Sequence, residues 1–107
     1  MKIGIATADL TPDGPVIFDG WAREEPSAGV YSPIEGTCIV FDNGTERLGL
    51  MALDLLAVDD YLMLPVRQTA AEYGIPSRNM MVNTSHSHSG PNMTPCRSLV
   101  CGCDEDY

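Results

Sequence analysis

The chain has 107 residues, of which 15 are acidic and 6 basic, giving a formal net charge of −9. That length suits one domain at most, and 44% apolar with 20% charged residues excludes a wholly disordered polypeptide. The acidic balance argues against nucleic-acid binding and against docking on an anionic membrane surface, while leaving room for a lipid-like substrate in an apolar pocket.

No stretch approaches the ~20 apolar residues of a transmembrane segment. The start Met1-Lys2-Ile3-Gly4-Ile5 leaves no room for a signal peptide, so a cytoplasmic location is expected. Cys38 lies in an apolar run, where a small buried thiol is expected. Cys96, Cys101 and Cys103 crowd together without paired Cys-x-x-Cys spacing, which favours incidental thiols over a metal or redox module.

Lys2 to Thr7 reads as a short strand, and Asp9 to Pro15 as a loop with strong turn chemistry. Asp19 to Pro33 carries Gly20, Pro26, Gly29 and Pro33 and reads as a long irregular connection, of the kind that often serves function. Thr37 to Asp42 is a strand, and Asn43-Gly44 signals a two-residue hairpin. Leu48 to Leu53 returns as a near-continuous apolar strand, expected to be covered on both faces and ended by Asp54.

Asp59 and Asp60 can cap a helix running to about Tyr73, with Gly74 and Pro76 as stop signals. Pro65 either kinks its first turns or moves its start to about Leu64. Ser77-Arg78-Asn79 leads into a strand over Met80–His86. Strand, helix and strand make a β-α-β unit with parallel strands and a right-handed crossover. Added to the hairpin, it gives an α/β fold with a mixed sheet, expected to be part of a larger α/β domain. Residues 3–95 form this portion, and residues 96–107 a Cys-containing acidic tail. Asp54 and His86 should share one sheet edge, at the carboxyl ends where α/β sheets gather their sites.

The most informative stretch is Thr84-Ser85-His86-Ser87-His88-Ser89-Gly90-Pro91, which holds both histidines of the chain. If the strand continues, His86 and His88 point to one face, where imidazoles can bind a metal ion or meet a substrate. The hydroxyls of Thr84, Ser85, Ser87 and Ser89 can orient the rings, and Gly90-Pro91 can turn the chain and admit a ligand closely. The bland alternatives are a polar strand end with two exposed histidines, and an Asp54 that only caps the next turn.

The histidine stretch resembles the Thr-His-Thr-His-Ser-Gly-Pro motif of the neutral/alkaline non-lysosomal ceramidase family. Other pieces follow in order. Gly4-Ile5-Ala6-Thr7-Ala8-Asp9-Leu10-Thr11-Pro12 is similar to the family's opening, Gly20-Trp21-Ala22 to its Gly-Tyr-Ala, and Ser27-Ala28-Gly29-Val30 to its Ser-x-Gly-Val. Leu53-Asp54-Leu55-Leu56 matches a strand-ending Asp-Leu, and Gly74 to Asn79 a linker before the motif strand. The resemblance implies a zinc-dependent amidase acting on the N-acyl bond of ceramides. It maps a zinc ligand onto His86 and a group at the reacting centre onto His88. Asp54, Ser89 and Gly90 then stand as substrate-binding or supporting residues.

Two departures stand out. The family's histidine after Gly-Val is Tyr31, and its Leu-Tyr-Ala-Arg-Ala becomes Ile34-Glu35-Gly36-Thr37-Cys38, without the arginine. The family's later zinc ligands fall downstream of this chain, which is expected to be an amino-terminal fragment of a longer enzyme or a truncated relative. The competing reading is a non-catalytic α/β binding domain.

Overall fold

A computed structural model describes residues 1–20 and 25–93; Trp21 and Ala22, and the tail with Cys96, Cys101 and Cys103, lie outside the described residues. Four strands form one mixed sheet in the order β1 (Lys2–Asp9), β2 (Glu35–Asp42), β3 (Arg47–Leu53), β4 (Met80–Thr84). Helix α1 (Asp60–Glu72) and a short 3-10 turn at Ser77–Asn79 link β3 to β4. β1–β2 and β2–β3 are antiparallel, while β3–β4 is parallel. The expected β-α-β crossover and mixed sheet are both present.

The β2–β3 hairpin closes over residues 43–46, four residues rather than the two expected from Asn43-Gly44. The cause is side-chain chemistry. The Asn43 Oδ1 accepts from the Thr45 and Glu46 amides, each at 2.8 Å, and stabilises a wider turn. Gly44 takes the left-handed φ of 90° that this turn requires, and its amide donates to the Asp42 Oδ1 at 2.7 Å. Arg47, opposite Asp42 in the ladder, bonds the other carboxylate oxygen at 3.0 Å.

Helix α1 starts where its cap places it. Asp59 Oδ1 accepts from the Tyr61 amide at 2.9 Å, and Asp60 adds negative charge to the first turn. Pro65 lies inside the helix, so the start is not displaced to Leu64. The only donor proline removes is the bond to the Tyr61 carbonyl, near the helix start, where such a loss is least damaging. Gly74 ends the helix at φ 77°, and the Gly74 and Ile75 amides return to the Ala71 and Ala70 carbonyls at 3.0 Å each. Arg47 Nη1 donates to the Tyr73 carbonyl at 2.6 Å, fastening the helix end to β3.

One face of the sheet meets α1. Its core is Ala70, Ile75 and Met80, with Cys38, Val40, Met51, Val66 and Val82 packed around it. Cys38 is a free thiol here and only partly buried. Gly49 leaves room for Met80, whose sulfur sits 2.5 Å from where a Cβ would stand, so a side chain there would push the methionine aside. Because α1 lies over the β3–β4 side, a groove of about 720 Å³ remains open between Pro65, Val66 and Tyr73 and the sheet residues Cys38 and Val40.

Among the described residues nothing covers the opposite face, so β3, expected to be covered on both sides, is covered by them on one. The register aligns Ile3, Phe41 and Leu48 in one row and Ile5, Ile39, Leu50 and Met81 in the next. Ile5 is 68% exposed and Met81 61% exposed. The third row turns polar, with Thr7 and Thr37 joined by a 2.9 Å hydroxyl bond and Asn83 nearby in register.

This asymmetry has measurable consequences. Ile75→Ala should lower stability by about 2–5 kcal/mol in urea denaturation, as expected of a core cavity, whereas Ile5→Lys should change it by no more than about 0.5 kcal/mol. A large loss for Ile5→Lys would mean that the face is covered. At the hairpin, the Gly44 amide and then Arg47 hold the Asp42 carboxyl below its ordinary pKa. A lowered folded-state pKa contributes stability above the ordinary carboxylate range and loses it as pH falls through the folded value. Asp42→Asn should therefore destabilise the chain at neutral pH, with the difference from wild type vanishing in acid; an unchanged difference would disprove the linkage.

Candidate functional site

The carboxyl ends of β3 and β4 carry the residues singled out by sequence. Asp54 follows β3 directly and His86 lies two residues beyond β4, so both sit at the same sheet edge on parallel neighbours. The parallel pairing outlasts the strands. The Ser85 amide donates to the Leu53 carbonyl at 2.9 Å and the Ser87 amide to the Leu55 carbonyl at 3.2 Å. β4 nonetheless ends at Thr84, short of the expected His86, because His86 adopts a left-handed φ of 61°. That conformation is uncommon for a residue with a Cβ and folds the ring back over the chain.

The ring is held there. His86 Nδ1 lies 3.1 Å from the Leu56 carbonyl oxygen, which also accepts from the Thr84 hydroxyl at 3.1 Å. A carbonyl can only accept, so Nδ1 carries the hydrogen. In the neutral ring Nε2 then holds the lone pair, the form in which imidazole binds metal ions. His86 is exposed and His88 half-buried, and their rings meet edge to face with centroids 5.2 Å apart.

His88 is placed by the long loop that sequence read as irregular. Its 17–20 segment runs antiparallel to 90–92: the Asp19 amide donates to the Gly90 carbonyl at 3.2 Å, the Asn92 amide to the Ile17 carbonyl at 2.9 Å, and Phe18 bridges Pro91. This brings Gly20, at φ 77°, flat against the His88 ring; a Cβ there would overlap Nδ1 and stand 2.6 Å from Cε1. The start of the loop is fixed by Asp9, whose Oδ1 accepts from the Thr11 amide at 2.8 Å. The Thr11 hydroxyl, and then its amide, hold the Asp9 carboxyl below its usual range. Thr11 Oγ1 in turn accepts from the Ile34 amide at 3.0 Å.

Alternation along residues 85–89 separates two environments. Ser85, Ser87 and Ser89 line a cavity of about 380 Å³ together with Asp54, Tyr31, Phe18 and Ile34, a cavity that neither histidine lines. The three serines thus line a cavity apart from the ring pair they were expected to orient; the Leu56 carbonyl holds the His86 ring instead, and accepts the Thr84 hydroxyl as well. Asp54 Oδ2 accepts from the Glu35 amide at 3.1 Å while its own amide donates to the Glu35 carbonyl at 2.9 Å, so it ties β3 to the start of β2. Gly90 is buried, and a Cβ on it would stand 3.2 Å from the Asp54 carbonyl. The close approach it permits is to the protein backbone. The Ser89 amide donates to Ser87 Oγ at 3.2 Å.

Among the described residues no three His, Cys, Asp or Glu side chains converge on one point. The donor chemistry of His86 fits a zinc ligand, with His88 as its neighbour. The Leu56 carbonyl and Gly20 are the contributors that pattern reading missed. Leu56 offers no side-chain signal, but Gly20 stands in the Gly-x-Ala piece of the resemblance.

No family model and no curated protein matches the chain. Solved structures do. A ceramidase complexed with C2 aligns with a TM-score of 0.79 and 24% identity, covering 92% of this chain and 17% of that one. The neutral ceramidase from Pseudomonas aeruginosa aligns with a TM-score of 0.74 and 26% identity, covering 85% of this chain and 16% of that one. The fold and the histidine motif point the same way: this chain is similar to a portion of neutral ceramidase.

Proposed function

We propose that the chain is part of a zinc-dependent hydrolase that cleaves the N-acyl amide bond of a ceramide-like lipid. The observation that carries this reading is the 3.1 Å bond from His86 Nδ1 to the Leu56 carbonyl, which leaves Nε2 as the basic nitrogen of an exposed ring. The likeness in fold to ceramidase structures supports the coarser part of it, a ceramidase-like hydrolase. The metal, the lipid substrate and the residue roles are the finer part.

His86 would hold zinc through Nε2, and the Leu56 carbonyl sets the plane of its ring. Zinc, when bound, polarises a carbonyl and lowers the pKa of water to about 7. A four-coordinate site needs more ligands than His86 alone provides, and the others would come from outside the described residues. His88 lies beside His86 and against Gly20, which limits its rotation. Its imidazole can donate a hydrogen bond to the oxygen of the amide as charge develops there, or pass a proton to the leaving nitrogen. Asp54 and Gly90 act beneath the site by keeping the strand ends in register. The competing reading is a non-catalytic α/β binding domain, favoured by Tyr31 at the position of the family's histidine.

Zinc content and hydrolysis of an N-acyl sphingosine, measured side by side on the intact enzyme that contains this chain, test the assignments. His86→Ala should lose both. His88→Ala should keep most of the zinc and lose about 10²- to 10⁴-fold in rate, the usual worth of a proton-transferring group. Full zinc occupancy in His86→Ala would refute its role, and an unchanged rate in His88→Ala would refute the other. Zinc binding without hydrolysis in the wild-type protein would favour the binding domain.

Gly20→Ala should reproduce the His88→Ala rate defect with zinc retained, because the new methyl occupies the space of the ring and the φ of 77° disfavours any Cβ. Wild-type activity in this variant would show that His88 does not depend on that contact.

A further inference from the structure

The ladder between the two parallel segments uses up the Leu53 and Leu55 carbonyls. The Leu56 carbonyl receives two side-chain donors instead, both at 3.1 Å, from residues 84 and 86. These residues flank Ser85 and reach the same oxygen from one side of the segment. A carbonyl oxygen has two lone pairs, and the pair of donors fills both.

We infer that Thr84 is a positioning residue: its hydroxyl clamps the Leu56 carbonyl, and the clamped carbonyl locks His86 in the Nδ1–H tautomer with Nε2 presented outward. The inference rests on the reading of His86 as a metal ligand for its consequence, though not for the tautomer itself. Three observations support it. The left-handed backbone at His86 brings the ring to an oxygen on the neighbouring segment, beyond the end of β4. Leu56 itself is buried at 8% exposure, so its peptide group has little freedom to turn toward solvent. Its side chain stands 3.1 Å from where a Gly20 Cβ would be, so the same residue also backs the glycine that lies against His88. Outer hydrogen bonds of this type fix ring orientation and raise ligand basicity, and their loss typically costs about 10- to 100-fold in metal affinity.

The test uses Thr84→Val, which keeps the branched shape suited to a strand and removes only the hydroxyl, and Thr84→Ser, which restores it. Long-range ¹H–¹⁵N spectra at about pH 8, where imidazole is largely neutral, report the tautomer of His86 directly. Competition with a chromogenic chelator reports zinc affinity. Wild type and Thr84→Ser should show a single Nδ1–H tautomer. Thr84→Val should show a tautomer mixture and a zinc affinity about 10-fold weaker. A single Nδ1–H tautomer in Thr84→Val would overturn the positioning role. A tautomer mixture in that variant, in an intact enzyme whose wild type binds no zinc, would uphold the positioning role and overturn the metal reading alone.

Discussion

The parallel pairing of β3 with β4 is the constraint on which the rest depends. It carries the two chain segments side by side past the ends of the strands, through the Ser85 and Ser87 amides. That continuation brings Leu56 beneath His86 and sets Asp54 beside the segment that bears the histidines. The helix matters to the site through this pairing. Its Asp59 cap, its Gly74 stop and the Arg47 bond to Tyr73 fix how far β4 advances along β3. A one-residue slip would exchange the faces presented by the serines and the histidines.

Much of this architecture was legible because each element carries its own local signal. Asp59 caps, Gly74 stops, and the apolar run before Asp54 follows a hairpin signal that marks it as a returning strand. The ordering of the motif pieces was legible too, through Gly20, Asp54 and the His86–Gly90 stretch. What escaped reading depends on contacts between segments distant in sequence. Nothing in the residue types says that His86 takes a left-handed conformation, or that its partner is a main-chain carbonyl thirty residues earlier. Ser85, Ser87 and Ser89 looked like partners for the rings because they are adjacent in sequence, yet they line a cavity apart from them. Asp54 and Gly90 also make close backbone contacts that their residue types did not announce, Asp54 while lining the serine cavity. The apolar strand over Leu48–Leu53 misled for a related reason: its pattern describes a strand fit for two covered faces, and the described residues cover one.

The two faces of the sheet therefore have different standing. The helix-side face has a small core in which Gly49 and Met80 interlock. The other presents two apolar rows and then a polar one, Thr7, Thr37, Ala52 and Asn83, toward the carboxyl ends. The gradient runs from apolar to polar as the sheet approaches the end that carries the histidines. The chain spans only a small share of the ceramidases it is similar to, 17% and 16% of their lengths.

The spacing of β1 from β2 bears on the order in which the chain assembles. The hairpin between β2 and β3 closes over residues 43–46, while β1 reaches β2 only after residues 10–34 have been looped out. A loop roughly six times longer costs about 1.6 kcal/mol more to close. β1 recovers little of that by burial, since every residue in it is exposed. On this count the β2–β3 hairpin is the pairing that closes at the least entropic cost, while β1 and β4 each join it across a long connection. The same loop carries Gly20 to His88, so the surroundings of the second histidine depend on one of the chain's costlier closures, whereas the ring of His86 takes its carbonyl from the segment that follows β3.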